Sequence, residues 1–301
     1  MKAFVTGAGG FAGPHLVAHL QEEGDEVVAS DRGGDHPLDI VDRAAVIAAF
    51  EAYRPDVVYH LAAFTHVGES WQDPPTVLRV NVEGTSNVLD AARAAGVQRV
   101  VVVGSAEEYG QATAADLPLH EDTPPRPTSP YGASKVAASY LALQAWLGGG
   151  LETVRVRPFN HTGPGQSSKF LVPALARRIA RAERDGGDHV VAGNLDPIRE
   201  VNDVRDIVRA YRLATIRGEA GAVYNVCSGR GVSVAEIADL LLAHAQRPLR
   251  IVQDPDLVRP VEIPRLVGDP TKFRTATGWE PKYKLAETLL SVLDDARADP
   301  A

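Results

Sequence analysis

The stretch Lys2-Ala3-Phe4-Val5-Thr6-Gly7-Ala8-Gly9-Gly10-Phe11-Ala12-Gly13-Pro14 decides the fold. Residues of strand character, Lys2–Thr6, run straight into a loop with glycines at 7, 10 and 13, and a helical pattern follows over Pro14–Glu23. Proline suits the first turn of a helix, where its missing N–H has no partner to lose. Strand, glycine loop and helix in immediate succession allow a tight turn, close approach of the backbone to a diphosphate, and close packing of helix on strand. The helix N-terminus then offers free N–H groups and the positive end of its dipole to phosphate. A glycine-rich loop without such flanks is a weak signal; in this setting it points to a dinucleotide.

Working outward, Glu26–Ser30, Val57–Leu61, Val100–Gly104 and Thr153–Arg157 read as further buried strands, rich in valine. Between them Asp42–Tyr53, Asn81–Ala95 and Tyr131–Leu147 carry apolar residues at helical spacing. This alternation predicts an α/β protein, a doubly wound parallel sheet of the Rossmann type with helices on both faces. After residue 158 the rhythm breaks. Helices are expected at Phe170–Arg184, Asn202–Arg217 and Val234–His244, a strand at Val223–Val226, and loops laid over a ligand along the proline-punctuated Pro255–Pro270. The division expected is a dinucleotide-binding domain over 1–157, to which Val223–Val226 returns, and a smaller C-terminal substrate-binding lobe making up most of 158–301.

Composition excludes several classes. The 301 residues are 45% apolar and 23% charged, ordinary globular values that permit a sizeable core. A formal net charge of -8 offers nothing to attract nucleic-acid phosphate. The Arg177–Arg184 run reads as the solvated face of a helix. Cys227, the one cysteine, rules out an intramolecular disulfide and fits a reducing cytoplasm. The first apolar run is too short for a signal peptide, and no run of about 18 apolar residues predicts a membrane span. No metal site is read from the sequence.

Tyr131 and Lys135 stand four apart at the start of a helix, so they share a face. Ser105 lies just beyond Val100–Val103, at the carboxyl edge where open α/β sheets place ligands. A phenol with a reference pKa of about 10 moves protons poorly at neutral pH. A nearby ammonium and a nicotinamide charge lower that pKa, and a serine hydroxyl helps hold the substrate oxygen. Asp31, ending the second strand, stands where a carboxylate holds the adenosine ribose and repels a 2′-phosphate. Arg32 beside it could attract that phosphate. NAD or NADP both stay open, and Asp31 tips the reading toward NAD. Asp39-Ile40 suits the adenine edge and face, although Asp39 could instead cap a helix.

Over nearly its whole length the chain resembles the extended short-chain dehydrogenase/reductase family, through Gly7-x-x-Gly10-x-x-Gly13, Leu61-Ala62-Ala63, Asn81, Ser105 and Tyr131-x-x-x-Lys135. More narrowly it is similar to the group that includes GDP-mannose 4,6-dehydratase. That likeness lies in Gly104–Gly110, Ser129–Lys135, Arg157–Gln166, Gly193–Leu195, Asp203–Val208, Tyr224–Gly229 and Arg259-Pro260-x-Glu262.

The resemblance implies that Ser105 bonds the sugar C4 oxygen, Tyr131 transfers the proton, and Lys135 binds the nicotinamide ribose and tunes Tyr131. It implies Gly7, Gly10, Phe11, Ala12, Asp31, Arg32, Asp39, Ile40, Leu61, Ala62, Ala63, Asn81, Pro158 and His161 as further cofactor contacts. Asn160, Arg199, Arg259 and Glu262 are implied holders of a nucleotide diphosphate, with Lys169, Val172, Ala106 and Glu107 completing the substrate site.

The implied reaction is NAD(P)-dependent reduction of the C4 ketone of GDP-4-keto-6-deoxy-D-mannose to GDP-D-rhamnose. The alternatives are 4-epimerisation or 4,6-dehydration of a GDP-, UDP- or dTDP-hexose and, remotely, a non-catalytic dinucleotide sensor. Glu107 stands where the dehydratases carry a glutamate, but Gly163-Pro164-Gly165-Gln166-Ser167-Ser168 lacks their Arg-Arg-Gly-Glu segment and favours reduction. Ala106 lacks a hydroxyl common at that position, and Glu200-Val201 replaces an Asp-aromatic pair. The apolar circumference of Asn81–Ala95 and Tyr131–Leu147 fits a homodimer with a four-helix interface.

Overall fold

The computed structural model describes residues 1–257 and 263–299. In chain order the first half comprises β1 (Lys2–Thr6), α1 (Ala12–Glu22), β2 (Glu26–Ser30), α2 (Arg43–Tyr53), β3 (Val57–His60) and α3 (Pro74–Leu78). A π turn, Arg79–Glu83, then leads directly into α4 (Gly84–Ala94), followed by β4 (Arg99–Val103), α5 (Pro130–Gly149) and β5 (Glu152–Pro158). The second half comprises β6 (His161–Thr162), α6 (Leu171–Asp185), β7 (His189–Ala192), β8 (Ile198–Arg199), β9 (Asn202–Asp203), α7 (Val204–Arg217) and β10 (Val223–Val226). It ends with β11 (Val232–Ser233), α8 (Val234–Leu242), β12 (Arg250–Gln253), β13 (Arg265–Leu266), α9 (Thr271–Thr277) and α10 (Leu285–Ala298).

Six parallel strands form the central sheet in the order β10-β5-β4-β3-β1-β2. Strand order reverses beside β1, which pairs with β2 on one side and β3 on the other, and this opens a crevice at the carboxyl ends of the strands. Thr6 aligns with both Ser30 and His60, and Val103 with Val156, so the reactive edge is one continuous line. Both faces of the sheet are buried, as its near-continuous apolar strands require. Ala3 and Val5 point into a core shared with α1 and α7, whereas Phe4 points into one built on α2, α4 and α5. A separate core joins α6, α8 and α10, with the paired strands β7 and β12 along its side.

Several sequence expectations are corrected. The helix expected from Asn81 begins at Pro74, where Asp73 caps it by accepting from Thr76 N at 3.1 Å. Asn202 belongs to a strand, and α7 starts at Val204 behind its own cap, Asp203. The region Pro255–Pro270 is not all loop, since it contains a 3-10 turn at Pro255–Leu257 and the strand β13. The short lobe strands and the helices α9 and α10 had no counterpart in the sequence reading. Two-residue strands carry too little periodicity to be recognised. Among the described residues no helix is long and apolar enough to cross a membrane.

The chain after α9 is fastened to α7. Trp279 is fully buried, packs on Phe273, and donates from Nε1 to Asp206 O at 3.0 Å. The Asp206 carboxylate accepts from Lys282 N and Tyr283 N. Trp279→Ala is expected to lower unfolding free energy by about 3–5 kcal/mol, because it removes a large buried ring and leaves a cavity. Urea denaturation checks this; a loss below about 1 kcal/mol would show that the tail does not support the sheet.

Candidate active site

The carboxyl edge of the sheet opens into a cavity of about 950 Å³ that continues into the α6–β7 region. Its size is at the upper end for small-molecule and cofactor sites. At one end lies the glycine loop. Gly7 has φ +73, and a Cβ there would press on the Leu61–Ala62 backbone. A Cβ on Gly13 would collide with Ala8 O, so the first turn of α1 lies close against the glycine loop. Phe11 caps the N-terminus of α1 with no side-chain hydrogen bond; in the first turn Gly13 N–H donates to Gly10 O and Pro14 has no N–H, which leaves those of Phe11 and Ala12 at the cavity wall. This cradle fits a diphosphate.

Gly7, Gly10, Phe11, Ala12, Asp31, Arg32, Asp39 and Ile40 all line this end of the cavity. Asp31 Oδ2 accepts from Gly9 N at 3.0 Å, which fixes the carboxylate against the loop. Asp39 accepts from Val41 N, while Asp42 is the residue that caps α2. Leu61, Ala62, Ala63, Pro158 and His161 form the middle walls, with His161 stacked on Phe11 at 5.9 Å.

Ser105, Glu107, Tyr131 and Lys135 meet in the middle of the cavity. Ser129 caps α5 by accepting from Gly132 N, which begins the helix so that Tyr131 and Lys135 face β4. Lys135 is buried and donates from Nζ to Val103 O at 2.8 Å. Burial lowers its pKa to about 8, against the pull of Glu108. Burial likewise pushes the Tyr131 phenol well above its usual range, opposed by a hydrogen bond with Ser105. The raised pKa keeps the phenol protonated at neutral pH and opposes release of its proton, the reverse of the lowering read from the sequence.

Ser105 stands just after β4 and accepts at Oγ from Glu107 N at 3.1 Å. Its own N–H donates to Glu108 Oε1, which completes a capping box. Glu108 is fully buried and pairs through Oε2 with Arg157 Nε at 2.7 Å. Burial pushes its carboxyl up, and the guanidinium beside it opposes that push. The sequence reading quoted Glu108 and Arg157 without assigning either a role. Two signals could have found them: Ser105-x-x-Glu108 is a capping-box spacing, and an arginine inside an apolar strand demands a buried partner.

Two expected site residues act from behind the wall. Asn81 is buried outside the cavity lining; it bonds Phe64 N and O and donates to Ser134 Oγ. Ala106 packs into a small core with Tyr109, Phe159 and Cys227. At the other end of the cavity Asn160, Lys169, Val172 and Arg199 are all lining residues. Arg259 and Glu262 lie outside the described residues. Arg178 also lines this end, although the run containing it reads in sequence as a solvated face. Glu200, behind Arg199, is fully buried and accepts from Ser228 N, Gly229 N and Gly268 N.

The chain is similar to known proteins along most of its length. The family model described as GDP-mannose 4,6 dehydratase matches residues 34–291. The chain is 38% identical to a GDP-6-deoxy-D-mannose reductase of Pseudomonas aeruginosa over 98% of this chain and 96% of that protein. The structure of RMD from Pseudomonas aeruginosa complexed with NADPH superposes with a TM-score of 0.91 at 37% identity, covering 99% of each chain. A Thermus thermophilus UDP-glucose 4-epimerase complexed with NAD gives a TM-score of 0.87 at 30% identity, again over 99% of each chain.

The position of Lys135 has a pH consequence. Its ammonium is present below about pH 8 and is lost as pH rises through that value. Turnover is expected to hold up to about pH 8 and then fall as the neutral amine stops supporting Tyr131. A pH–rate profile tests this, and a profile flat to pH 10 contradicts it.

Proposed function

The chain belongs to the GDP-mannose 4,6-dehydratase family of the extended short-chain dehydrogenases/reductases, and from that premise we propose that it reduces the C4 ketone of GDP-4-keto-6-deoxy-D-mannose to GDP-D-rhamnose. One observation carries the reading: Ser105, Tyr131 and Lys135 converge in a single cavity that runs from a diphosphate cradle to Arg199. Similarity to a GDP-6-deoxy-D-mannose reductase across nearly the full length supports the choice of reaction.

The nicotinamide, when bound, supplies the hydride to C4. Tyr131 Oη gives its proton to the C4 oxygen, which the Ser105 hydroxyl holds in place. Lys135 presents its ammonium to the ribose and to the phenol, with Val103 O fixing its direction. Asn160, Lys169 and Arg199 take the substrate's diphosphate, for which a planar guanidinium is well shaped. The sheet with α7 and β10 forms the cofactor half, and the α6–α8–α10 core carries the substrate half. In the loop after β6, Gln166 bonds Thr162 and His161 O. This closed turn stands in place of the Arg-Arg-Gly-Glu segment of the dehydratases and supports reduction.

For the cofactor, Asp31 held against Gly9 N supports NADH, since a carboxylate there repels a 2′-phosphate. We place the protein in the cytoplasm as a homodimer joined through α4 and α5, where Tyr140 and Leu147 of α5 are exposed. C4 epimerisation is the second reading, favoured by the same carboxylate, because an epimerase keeps its NAD through each turnover.

Mixing the protein with the ketosugar and NADH is expected to consume reduced cofactor one for one with product, followed at 340 nm. No product with either cofactor would overturn the reductase reading, and interconversion of a nucleotide-hexose with its C4 epimer, without net change in cofactor, would favour epimerisation. For cofactor choice, kcat/KM should be higher with NADH than with NADPH, and Asp31→Ser should shift the ratio toward NADPH by roughly tenfold or more. A wild type that prefers NADPH overturns the assignment to Asp31.

A further inference from the structure

We infer that Arg178 reads the base of the nucleotide sugar and makes this site select guanine over uracil or thymine. The inference rests on the nucleotide-sugar reading given above. On α6, residues Leu171, Ala174, Leu175 and Arg178 follow the i, i+3, i+4, i+7 spacing of one helix face, and all four line the cavity. Ala192 and Gly193 at the end of β7 line it with them, as does Leu257. A Cβ on Gly193 would stand 2.7 Å from Leu257 O, so these two segments approach closely. The result is an apolar slot with a guanidinium in its wall, at the opposite end of the cavity from the glycine loop.

Arg178 differs from its neighbours on the helix. Arg177 pairs with Asp299, and Arg181 and Arg184 with Asp185. Arg178 has no carboxylate partner among the described residues. Its Nη1 donates to Val191 O at 2.8 Å, which fixes the guanidinium plane and leaves other N–H groups for a ligand. Apolar walls suit the faces of a flat ring and not a hydrated phosphate.

The chemistry of the ring edge then decides the base. A guanidinium is a donor-only fork. Guanine presents N7 and O6 side by side as acceptors, whereas uracil and thymine set O4 beside a C–H or a methyl group. Adenine sets a donor amino group beside N7, which opposes the fork. Among these bases guanine alone satisfies two of its N–H groups together.

The test measures binding of GDP, UDP and 7-deaza-GDP, which lacks the N7 acceptor, by calorimetry on the full chain. Wild type is expected to bind GDP roughly tenfold or more tighter than UDP and tighter than 7-deaza-GDP. Arg178→Met, which keeps an unbranched apolar stem, is expected to lose that advantage while binding UDP within about twofold of wild type. Equal losses for GDP and UDP would mark a phosphate contact and overturn the proposal. Equal wild-type affinity for GDP and 7-deaza-GDP would also overturn it, and needs no variant. A wild type that binds none of these nucleotides overturns this inference and the nucleotide-sugar reading together, whereas one that binds all three alike overturns only this one.

Discussion

Glu108 and Arg157 meet at 2.7 Å with almost no exposure to solvent, and the positions of the reactive groups depend on that contact. A carboxylate in such a place is tolerable only when its charge is paired and its lone pairs are occupied. One oxygen takes the guanidinium and the other takes the N–H of Ser105. Ser105 therefore cannot swing away without leaving a buried charge short of a hydrogen bond. Arg157 also donates to Tyr109 Oη and lies 4.8 Å from that ring, while Tyr109 Oη donates to Asn225 Oδ1 at 2.7 Å. The network thus ties the end of β4 to β5 and β10, its successive neighbours in the sheet. Glycine is needed at 104 because a Cβ there would collide with the Glu108 carboxylate.

A second buried relay steadies the cofactor side. His60 Nδ1 lies 2.8 Å from Thr6 Oγ1, and His60 Nε2 lies 2.9 Å from Thr85 Oγ1. The Thr85 hydroxyl spends its proton on Asn81 O, so it accepts from His60 Nε2–H, and Nδ1 in turn accepts from Thr6. Burial and the charge of Lys135 lower the His60 pKa to about 3, which keeps the ring neutral and this direction fixed. Asn81, at the π turn, extends the relay to Phe64 and Ser134. Its contribution to the site is to hold the wall that faces the cofactor.

Much of this was legible in the chain. Lys2–Pro14 announced a strand, a phosphate loop and a helix, because backbone freedom at glycine and the short apolar strand before it leave few other outcomes. Tyr131 and Lys135 announced a shared face through their spacing alone. The lobe was not legible. Its two-residue strands and the helices α9 and α10 are defined by what they pack against, as Trp279 on α7 illustrates. Asn81 was recognised as significant but assigned a direct contact, when its side chain serves the backbone of the neighbouring loop.

By itself the sequence determined the α/β alternation, the trio Ser105, Tyr131 and Lys135 proposed for hydride transfer, and the order of these residues along the chain, since these follow from local periodicity and residue chemistry. Only the tertiary structure decided that Glu108, given no role in the sequence, is buried against Arg157. It alone decided which of four arginines on α6 turns inward. The reason is that burial and pairing are relations between segments distant in the chain. Residues 108 and 157, or 178 and 191, become neighbours only once the sheet has brought its carboxyl edge and the lobe around one cavity.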